Sequence, residues 1–211
     1  MRIPLAREGY PFILLSMVPV VFTLFLGQRL LPLGFFALSS FVIWFFRDPE
    51  RVIPHEAGRI VSPADGRIIK VEKTREDRLL KGEAIRVSIF MNVFNVHVNR
   101  APYGGMVKRI LYNPGRFISA NLDKASLENE QNSILMEADG GRLFVVTQIA
   151  GLIARRIVCG VREGADVKTG DRIGMIRFGS RLDVYLPVSA RVKVKVGEKV
   201  KAGSSVIACW S

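Results

Sequence analysis

The stretch VREGADVKTGDRI, residues 161–173, returns as VKVGEKVKAGSSV at residues 194–206. Valine, glycine, valine, glycine and a β-branched residue fall at the same offsets in both copies, so the chain contains an internal repeat. This pattern predicts short strands joined by tight glycine turns. Between the copies runs IRFGSRL, residues 176–182, an apolar strand in which the carbonyl of Gly179 adjoins the hydroxyl of Ser180. A chain that cuts its own backbone and leaves a carbonyl group behind needs such a pair.

Further runs with strand character precede the repeat, separated by glycine, proline, asparagine and aspartate. They are residues 58–62, 67–72, 84–91, 93–98, 106–112, 133–138 and 142–149. We therefore expect a β-rich domain of the all-β or α+β class over residues 58–211. The polar stretch 116–132 lacks apolar periodicity and predicts a long loop or short helix, and long loops in compact domains often carry function.

The valine-glycine rhythm of the repeat resembles the hammerhead β module of lipoyl and biotinyl carrier domains, built twice. Those carriers present a modified lysine at a tight turn between their halves. Residues 176–186 contain no lysine, which disfavours a swinging-arm carrier.

Two apolar runs, residues 11–27 and 30–46, set the amino terminus apart from the rest of the chain. Each has about 17 residues, near the lower limit for crossing a bilayer. We predict a membrane-associated helical hairpin over residues 1–46 and a linker over residues 47–57. A cleavable signal peptide fits poorly because there are two runs. A buried soluble hairpin would need more apolar cover than the remaining chain offers.

Basic residues at both ends of the hairpin favour a cytoplasmic location for both ends and for the domain that follows. They are Arg2 and Arg7 before the first run and Arg47 after the second. Arg29 then lies near the tip of the hairpin. The alternative, one long tilted helix, would place Arg29 in hydrocarbon unless it were buried.

The formal net charge of the chain is +12, of which residues 1–46 carry +2 and the remainder +10. A basic body beside a membrane anchor suits a surface of anionic lipid. Nucleic acid is disfavoured because no cluster of Lys and Arg interleaves with stacking aromatics. Cys159 and Cys209 lie far apart with no metal-ligand spacing, and we expect reduced core thiols rather than a zinc site or a disulfide.

Three side chains form a candidate set of acid, base and nucleophile. Asp65 lies in the turn sequence SPADG, His97 lies in the apolar run FMNVFNVHVNRAP, and Ser180 lies in the joint. A serine hydroxyl is a weak nucleophile until a base takes its proton, and a carboxylate orients that base. Each residue also has a simpler interpretation: Asp65 as an Asx-turn residue, His97 as a satisfied core histidine and Gly179-Ser180 as an ordinary turn.

Together the motifs resemble the phosphatidylserine decarboxylases, in the short form of that family found in many bacteria and archaea. The matching motifs follow in the family's order and cover nearly the whole chain: FFRDP at 45–49, SPADG at 62–66, NVHVNRAP at 95–102, ENEQN at 128–132 and FGS at 178–180. One position departs from the pattern. Longer members carry two histidines three residues apart, and here the second is Arg100, so the roles of the two histidines must be combined or reassigned.

The resemblance implies a chemistry for the Gly179-Ser180 joint. Ser180 attacks the carbonyl of Gly179, and the resulting ester eliminates to dehydroalanine. Hydrolysis then releases ammonia and leaves a pyruvoyl group on Ser180, which forms a Schiff base with the substrate amine and serves as the electron sink for decarboxylation. The chain is thereby divided into residues 1–179 and 180–211. No metal or nucleotide is implied.

The implied substrate is phosphatidylserine, converted to phosphatidylethanolamine and CO2. Its phosphate or carboxylate has three candidate partners, Arg100, Arg116 and Lys124, each of which also fits a solvated surface charge. The two cleaved chains would stay together, and the family implies a homodimer. Two alternatives remain open: a non-enzymatic membrane-anchored adaptor with a lipoyl-like module, and a pyruvoyl decarboxylase of small soluble amino acids.

Overall fold

The computed structural model describes residues 3–54, 56–115, 129–151, 156–177 and 180–210. The chain divides into two compact units, Met1–Glu50 and Arg51–Ser211. This division falls inside the predicted linker 47–57.

The first unit contains two apolar helices, α1 (Tyr10–Phe25) and α2 (Leu31–Phe45), after a short 3-10 turn. Each helix begins with a proline in its first turn, where no amide hydrogen is needed. The helices pack together, and the Ser39 hydroxyl of α2 donates to the Ser16 carbonyl of α1 at 2.8 Å. An antiparallel bridge between Leu5 and Arg47 joins the two ends of the unit. The two helices match the two apolar runs of the sequence.

Most apolar side chains of this unit point outward, with Phe25 85% and Leu14 70% exposed. The stretch Arg7–Phe25 is long and apolar enough to cross a membrane, whereas Leu31–Phe45 is equally apolar but shorter.

The second unit is built of antiparallel strands, and the prediction of a β-rich domain is confirmed. Its described strands are β1 (Arg59–Val61), β2 (Gly66–Glu76), β3 (Gly82–Met91), β4 (Val98–Arg100), β5 (Gly105–Asn113), β6 (Gln131–Ala138), β7 (Arg142–Ala150), β8 (Ile157–Cys159), β9 (Asp166–Val167), β10 (Arg172–Ile176), β11 (Ser180–Pro187), β12 (Arg191–Val192), β13 (Lys199–Val200) and β14 (Val206–Cys209). They form an eight-stranded sheet in the order β13-β2-β3-β11-β7-β6-β5-β9, and two three-stranded sheets, β1-β14-β12 and β4-β10-β8.

Strand β11 lies in the middle of the large sheet, and most of its residues are buried. Leu182, Val184 and Leu186 are fully buried in the hydrophobic core, which they share with residues of the neighbouring strands β3 and β7. Because successive side chains of a strand point to opposite faces, Ser180 shares this core face, and Arg181 points to the other.

The internal repeat of the sequence is also a repeat of backbone geometry. Gly164 and Gly170 of the first copy have φ of 80° and 84°, and Gly197 and Gly203 of the second have 95° and 74°. This left-handed region favours glycine. Strands β9 and β13 occupy equivalent positions in the two copies and lie at the two outer edges of the large sheet. The likeness to a lipoyl-type hammerhead stays a prediction.

The predicted strand over residues 93–98 is wrong, because only Val98 of that run belongs to a strand. The Asn95 side chain accepts a hydrogen bond from the Asn92 amide at 2.9 Å, and the Asn92 side chain accepts one from the Phe94 amide at 3.0 Å. These side-chain bonds offer the backbone a turn in place of a ladder. The apolar character of Val93, Phe94 and Val96 concealed that turn.

Candidate active site

Ser180 is the first residue of β11 and is completely buried. It lies opposite Met91 of β3 and Ala150 of β7, so apolar residues flank it on both sides. Among the described residues, its hydroxyl has no hydrogen-bond partner. A buried hydroxyl without a partner costs free energy and marks a candidate for chemistry. Gly179, the other half of the predicted cleavage site, lies outside the described residues.

His97 lies immediately before β4 and is also completely buried. Its carbonyl accepts a hydrogen bond from the Ile176 amide at 3.4 Å, and the following residue, Val98, pairs with Met175 of β10. Strand β10 is the segment that leads into the Gly179-Ser180 joint. The structure therefore brings the backbone of His97 beside the approach to Ser180, although the two are far apart in sequence.

A chain of buried amides lies on the core face near Ser180. The Asn132 side chain donates to Gln148 at 2.9 Å, and Gln148 donates to Asn99 at 2.8 Å. The Asn99 amide nitrogen in turn lies 3.8 Å from the sulfur of Met91, the residue opposite Ser180. All three amides are at most 2% exposed. Such a satisfied polar network holds its members in one arrangement.

No role was predicted for these amides from the sequence. Asn99 and Asn132 both lie inside motifs that carried the family resemblance. Gln148 could have been recognised as a polar residue at a core-facing position of the apolar strand RLFVVTQIA. This polar residue was visible in the sequence, but only the structure shows that Asn99 of β4 meets Gln148 and Asn132 of the paired strands β7 and β6.

The segment before β6 fixes the strand next to Ser180. The Asn129 side chain donates to the Ala150 carbonyl at 2.6 Å, and the Ala150 amide donates to the Glu130 carbonyl at 3.0 Å. The Glu130 carboxylate accepts hydrogen bonds from the Tyr112 hydroxyl and the Ile157 amide. The bond to Glu130, together with partial burial, raises the pKa of the Tyr112 phenol.

The described hydrogen bonds of Asp65 are made to Arg51 and Ala202, and not to His97 or Ser180. Both of its oxygens accept from Arg51, at 3.0 and 2.8 Å, and one accepts from the Ala202 amide at 2.8 Å. The turn that carries Asp65 nevertheless contacts the histidine segment, because the Arg100 amide donates to the Pro63 carbonyl at 2.9 Å. The carboxylate is therefore linked to His97 through backbone rather than by a direct hydrogen bond within the described residues.

The predicted substrate contacts fall in different places. Arg100 is 4% exposed, and its guanidinium donates to the Gly170 carbonyl at 2.9 Å, which ties it to the turn of the first repeat. Arg116 and Lys124 lie outside the described residues, and their assignment stays a prediction.

The opposite face of β11 carries a buried ion pair that was not predicted from the sequence. Arg181 donates to both oxygens of Asp183, at 2.7 and 2.9 Å, and to the Ser88 hydroxyl at 3.0 Å. Arg181 is 1% exposed and Asp183 is fully buried. This two-point contact follows Ser180 directly and fixes the start of β11.

The ion pair continues into a second charged group on the same face. Burial alone would lower the pKa of Arg86, but Asp183 and hydrogen bonds to Tyr185 and Glu72 outweigh it and raise that pKa. Burial and the charge of Asp183 raise the pKa of the Tyr185 phenol, against the opposing effect of Arg86 and Arg181.

Among the described residues, no group of three or more His, Cys, Asp or Glu side chains could hold a metal ion. Cys159 and Cys209 are free thiols, but Cys159 is exposed and Cys209 is only partly buried, so the expectation that they are core residues is wrong.

Comparison with known proteins gives one consistent match. Residues 38–208 match the model of the phosphatidylserine decarboxylase family. A phosphatidylserine decarboxylase proenzyme of Syntrophus aciditrophicus is 52% identical over 202 residues, covering 95% of each chain. The proenzyme of Nitrosomonas europaea is 50% identical over 204 residues, covering 97% of this chain and 94% of its own.

Proposed function

The chain belongs to the phosphatidylserine decarboxylase family, and on that premise we propose that it is a self-processing enzyme that converts phosphatidylserine to phosphatidylethanolamine and CO2. Membership in a family of carboxy-lyases favours this function over the non-enzymatic adaptor. The soluble amino-acid decarboxylase is disfavoured by the same membership, since the family acts on a phospholipid.

One observation carries the proposal: the buried Ser180 hydroxyl, which lacks a hydrogen-bond partner among the described residues and lies at the start of the central strand. An ordinary turn serine would bond to backbone or water. A hydroxyl held among Met91 and Ala150 is instead available to a neighbouring carbonyl.

The proposed cleavage begins when the Ser180 hydroxyl attacks the carbonyl carbon of Gly179. The C–N bond breaks, and the proton from the hydroxyl ends on the freed amine, so an ester replaces the amide. Loss of the α-proton of residue 180 expels the Gly179 carboxylate and leaves dehydroalanine. Water then releases ammonia from residue 180, so that residues 1–179 and 180–211 become separate chains and the smaller begins with a pyruvoyl group.

His97 is the proposed base that takes the proton from Ser180. Its burial and the hydrogen bond between its carbonyl and Ile176 support this role, because they hold it beside the strand that leads to the joint. Asp65 is the proposed orienting carboxylate. Its bonds to Arg51 and Ala202 would make it act through the turn at Pro63 and the backbone of Arg100.

The surroundings of Ser180 fit a pyruvoyl group, since its small side chain lies among apolar neighbours with no competing polar partner described. The carbonyl of such a group takes up a primary amine and accepts electrons as the carboxylate leaves as CO2. The chain's own contribution is to exclude water with Met91 and Ala150 and to fix the strands through the amides of Asn99 and Gln148.

The apolar first unit is the proposed membrane anchor, with the catalytic unit on the cytoplasmic side. Exposed side chains such as Phe25 and Leu14, and the length of Arg7–Phe25, support association with a bilayer. The phospholipid substrate, the pairing of the two cleaved chains and a homodimer are the partners we propose.

The proposed function is tested by intact mass under denaturing conditions together with CO2 release. We expect two fragments, the smaller beginning at residue 180 with a blocked terminus, and CO2 release from phosphatidylserine vesicles. A single uncut chain that is folded but inert would contradict the proposal.

Deletion of residues 1–46 tests the anchor. We expect the truncated chain to leave the membrane fraction and still cut itself, because Asp65, His97 and Ser180 all lie in the second unit. Loss of cleavage in a truncated protein that is still folded would make the first unit part of the catalytic core.

A further inference from the structure

Glu130 contacts two strands through two different oxygen atoms. Its backbone carbonyl accepts a hydrogen bond from the Ala150 amide at 3.0 Å, at the end of β7. Its carboxylate Oε1 accepts a hydrogen bond from the Ile157 amide at 3.3 Å, at the start of β8. Glu130 is 4% exposed, so both bonds are shielded from water. A single residue therefore fixes the end of β7 relative to the start of β8.

The two strands joined in this way are the neighbours of the proposed cleavage site. Ala150 lies opposite Ser180, the first residue of β11. Ile157 lies opposite Ile176, the last residue of β10. Only residues 177–179 connect β10 to β11. The two contacts therefore act on both ends of the segment in which the cut is proposed.

The same arrangement includes the segment of the proposed base. The Ile176 amide donates to the His97 carbonyl at 3.4 Å, so the strand end beside Ile157 also holds the histidine segment. Attack by the Ser180 hydroxyl requires the two reacting atoms to lie about 3–3.5 Å apart in the right direction, and a misplacement of about 1 Å can cost about a hundredfold in rate. The spacing of these strands therefore decides whether the attack is productive.

Glu130 does not reach Ser180 itself. Gln131 pairs with Ile149, so Glu130 lies opposite Ala150 and shares the face of the sheet that Ser180 occupies. Two strand spacings, about 10 Å, separate Glu130 from Ser180 along that row. This distance is too long for a direct proton transfer, and it leaves Glu130 a role in positioning.

We propose that Glu130 is a positioning residue for self-cleavage, which holds β10 and β11 at the separation that brings the Gly179 carbonyl to the Ser180 hydroxyl. This inference rests on the proposed function. The acting group is Oε1 as the acceptor for the Ile157 amide, because the contact to Ala150 belongs to the backbone and does not depend on the side chain. The negative charge of the carboxylate is not needed for this role.

Two substitutions at Glu130 separate the acceptor from the charge. Glu130→Ala removes the bond to the Ile157 amide, and the rate at which the two fragments appear should fall about 10- to 100-fold, as expected for the loss of one hydrogen bond to a charged group. Glu130→Gln keeps an acceptor oxygen and places its NH2 group where Oε2, which is buried, has no partner among the described residues. It should therefore cut at nearly the rate of the unaltered chain. A normal rate in Glu130→Ala, or an equally low rate in both variants, would overturn the proposal.

Two control variants test whether the effect is specific. Tyr112→Phe removes the other donor to Oε1 and should leave the cleavage rate unchanged, because the Ile157 amide still binds that oxygen. Ser133→Ala removes a buried hydrogen bond to Thr147 that joins β6 to β7 on the face opposite Ser180. It should lower the urea midpoint without slowing the cut. Slow cleavage in Ser133→Ala would show that the rate follows general stability, and the proposal would then fail.

Hydrogen exchange in an uncut chain separates failure of this proposal from failure of the proposed function. In the Ser180→Ala background, Glu130→Ala should speed exchange of the Ile157 amide, and Glu130→Gln should restore its protection. Unchanged exchange in Glu130→Ala would overturn the contact, whether or not the unaltered chain cuts itself. An unaltered chain that is folded and never cuts itself would instead overturn the proposed function, and with it the role of Glu130 in cleavage.

Discussion

The two faces of β11 differ in whether their buried polar side chains have bonding partners. On one face, Arg181 and Asp183 are bound to each other at two points and to Ser88, so the charges are paired. On the other face, the Ser180 hydroxyl has no partner among the described residues. Paired groups hold a strand in place, whereas an unpaired group is available to react. The difference indicates that the strand is anchored on its charged face so that its apolar face can carry chemistry.

Removal of the Ser180 hydroxyl should have the largest effect and tests the reactive face of β11 directly. Ser180→Ala should leave a single uncut chain with no decarboxylase activity, because the same oxygen begins the cleavage and its residue supplies the carbonyl group. The urea midpoint should not fall, since an unpartnered buried hydroxyl is replaced by a methyl group. Denaturing mass spectrometry checks the result, and a cut between residues 179 and 180 in this variant would contradict self-processing.

Breaking the Arg181–Asp183 ion pair should lower the stability of the fold rather than remove a reacting group. Asp183→Asn in the uncut Ser180→Ala background leaves Arg181 as a buried charge without its carboxylate and should destabilise the chain by about 3–5 kcal/mol. The double change Arg181→Met with Asp183→Leu removes both charges and should recover most of that loss. Urea unfolding measures both, and equal stability of the single and double variants would show that pairing is not what holds the strand.

Variants of His97 and Arg100 test which side chain activates Ser180 for cleavage. His97→Ala should slow or stop cleavage, because no other side chain is proposed as the base for Ser180. Arg100→Ala should still permit the cut and reduce catalysis or stability, because a guanidinium is not a base and Arg100 contacts the Gly170 carbonyl. The rate at which the two fragments appear is the measurement. Normal cleavage in His97→Ala would remove it from the mechanism.

The smallest expected effect concerns the loss of stability at alkaline pH, to which Tyr185 on the charged face of β11 contributes. The raised pKa of Tyr185 means that the folded chain keeps the phenol proton at a pH where the unfolded chain loses it. Its contribution is therefore complete below the ordinary pKa of about 10 and is lost as pH rises through the higher folded value. Urea midpoints between pH 8 and 11 should fall less steeply in Tyr185→Phe. An identical pH profile for the two chains would assign the alkaline loss to other groups.

Much of the fold could be predicted because its signals are local. Glycines at equal spacing predicted the turns of both repeats, and runs with strand character between turn residues predicted β2, β3, β5, β6 and β7 to within a few residues of their observed bounds. The error at residues 93–98 arose where asparagine side chains compete with a ladder that the apolar residues favoured.

Candidate site residues could be named from the sequence only where one residue type is scarce or lies in a recognisable motif. Ser180 and His97 stood out in this way. The amide chain of Asn99, Gln148 and Asn132, and the contact of Arg181 with Ser88, depend on which strands lie close together in the fold. That closeness is set by the packing of the whole unit, and no single stretch of sequence encodes it.

The central position of β11 in the sheet determines whether folding or self-cleavage comes first. The strand pairs with β3 over eight residues and with β7 over six, and it belongs to the smaller of the two proposed products. The proposed scission at its first residue would therefore sever the backbone without opening the sheet, as in a split protein whose halves remain complementary. The short piece cannot find this central place as easily from solution, since two molecules would then have to meet. Folding has to precede scission, and denaturation of the mature enzyme should be far harder to reverse than that of its precursor.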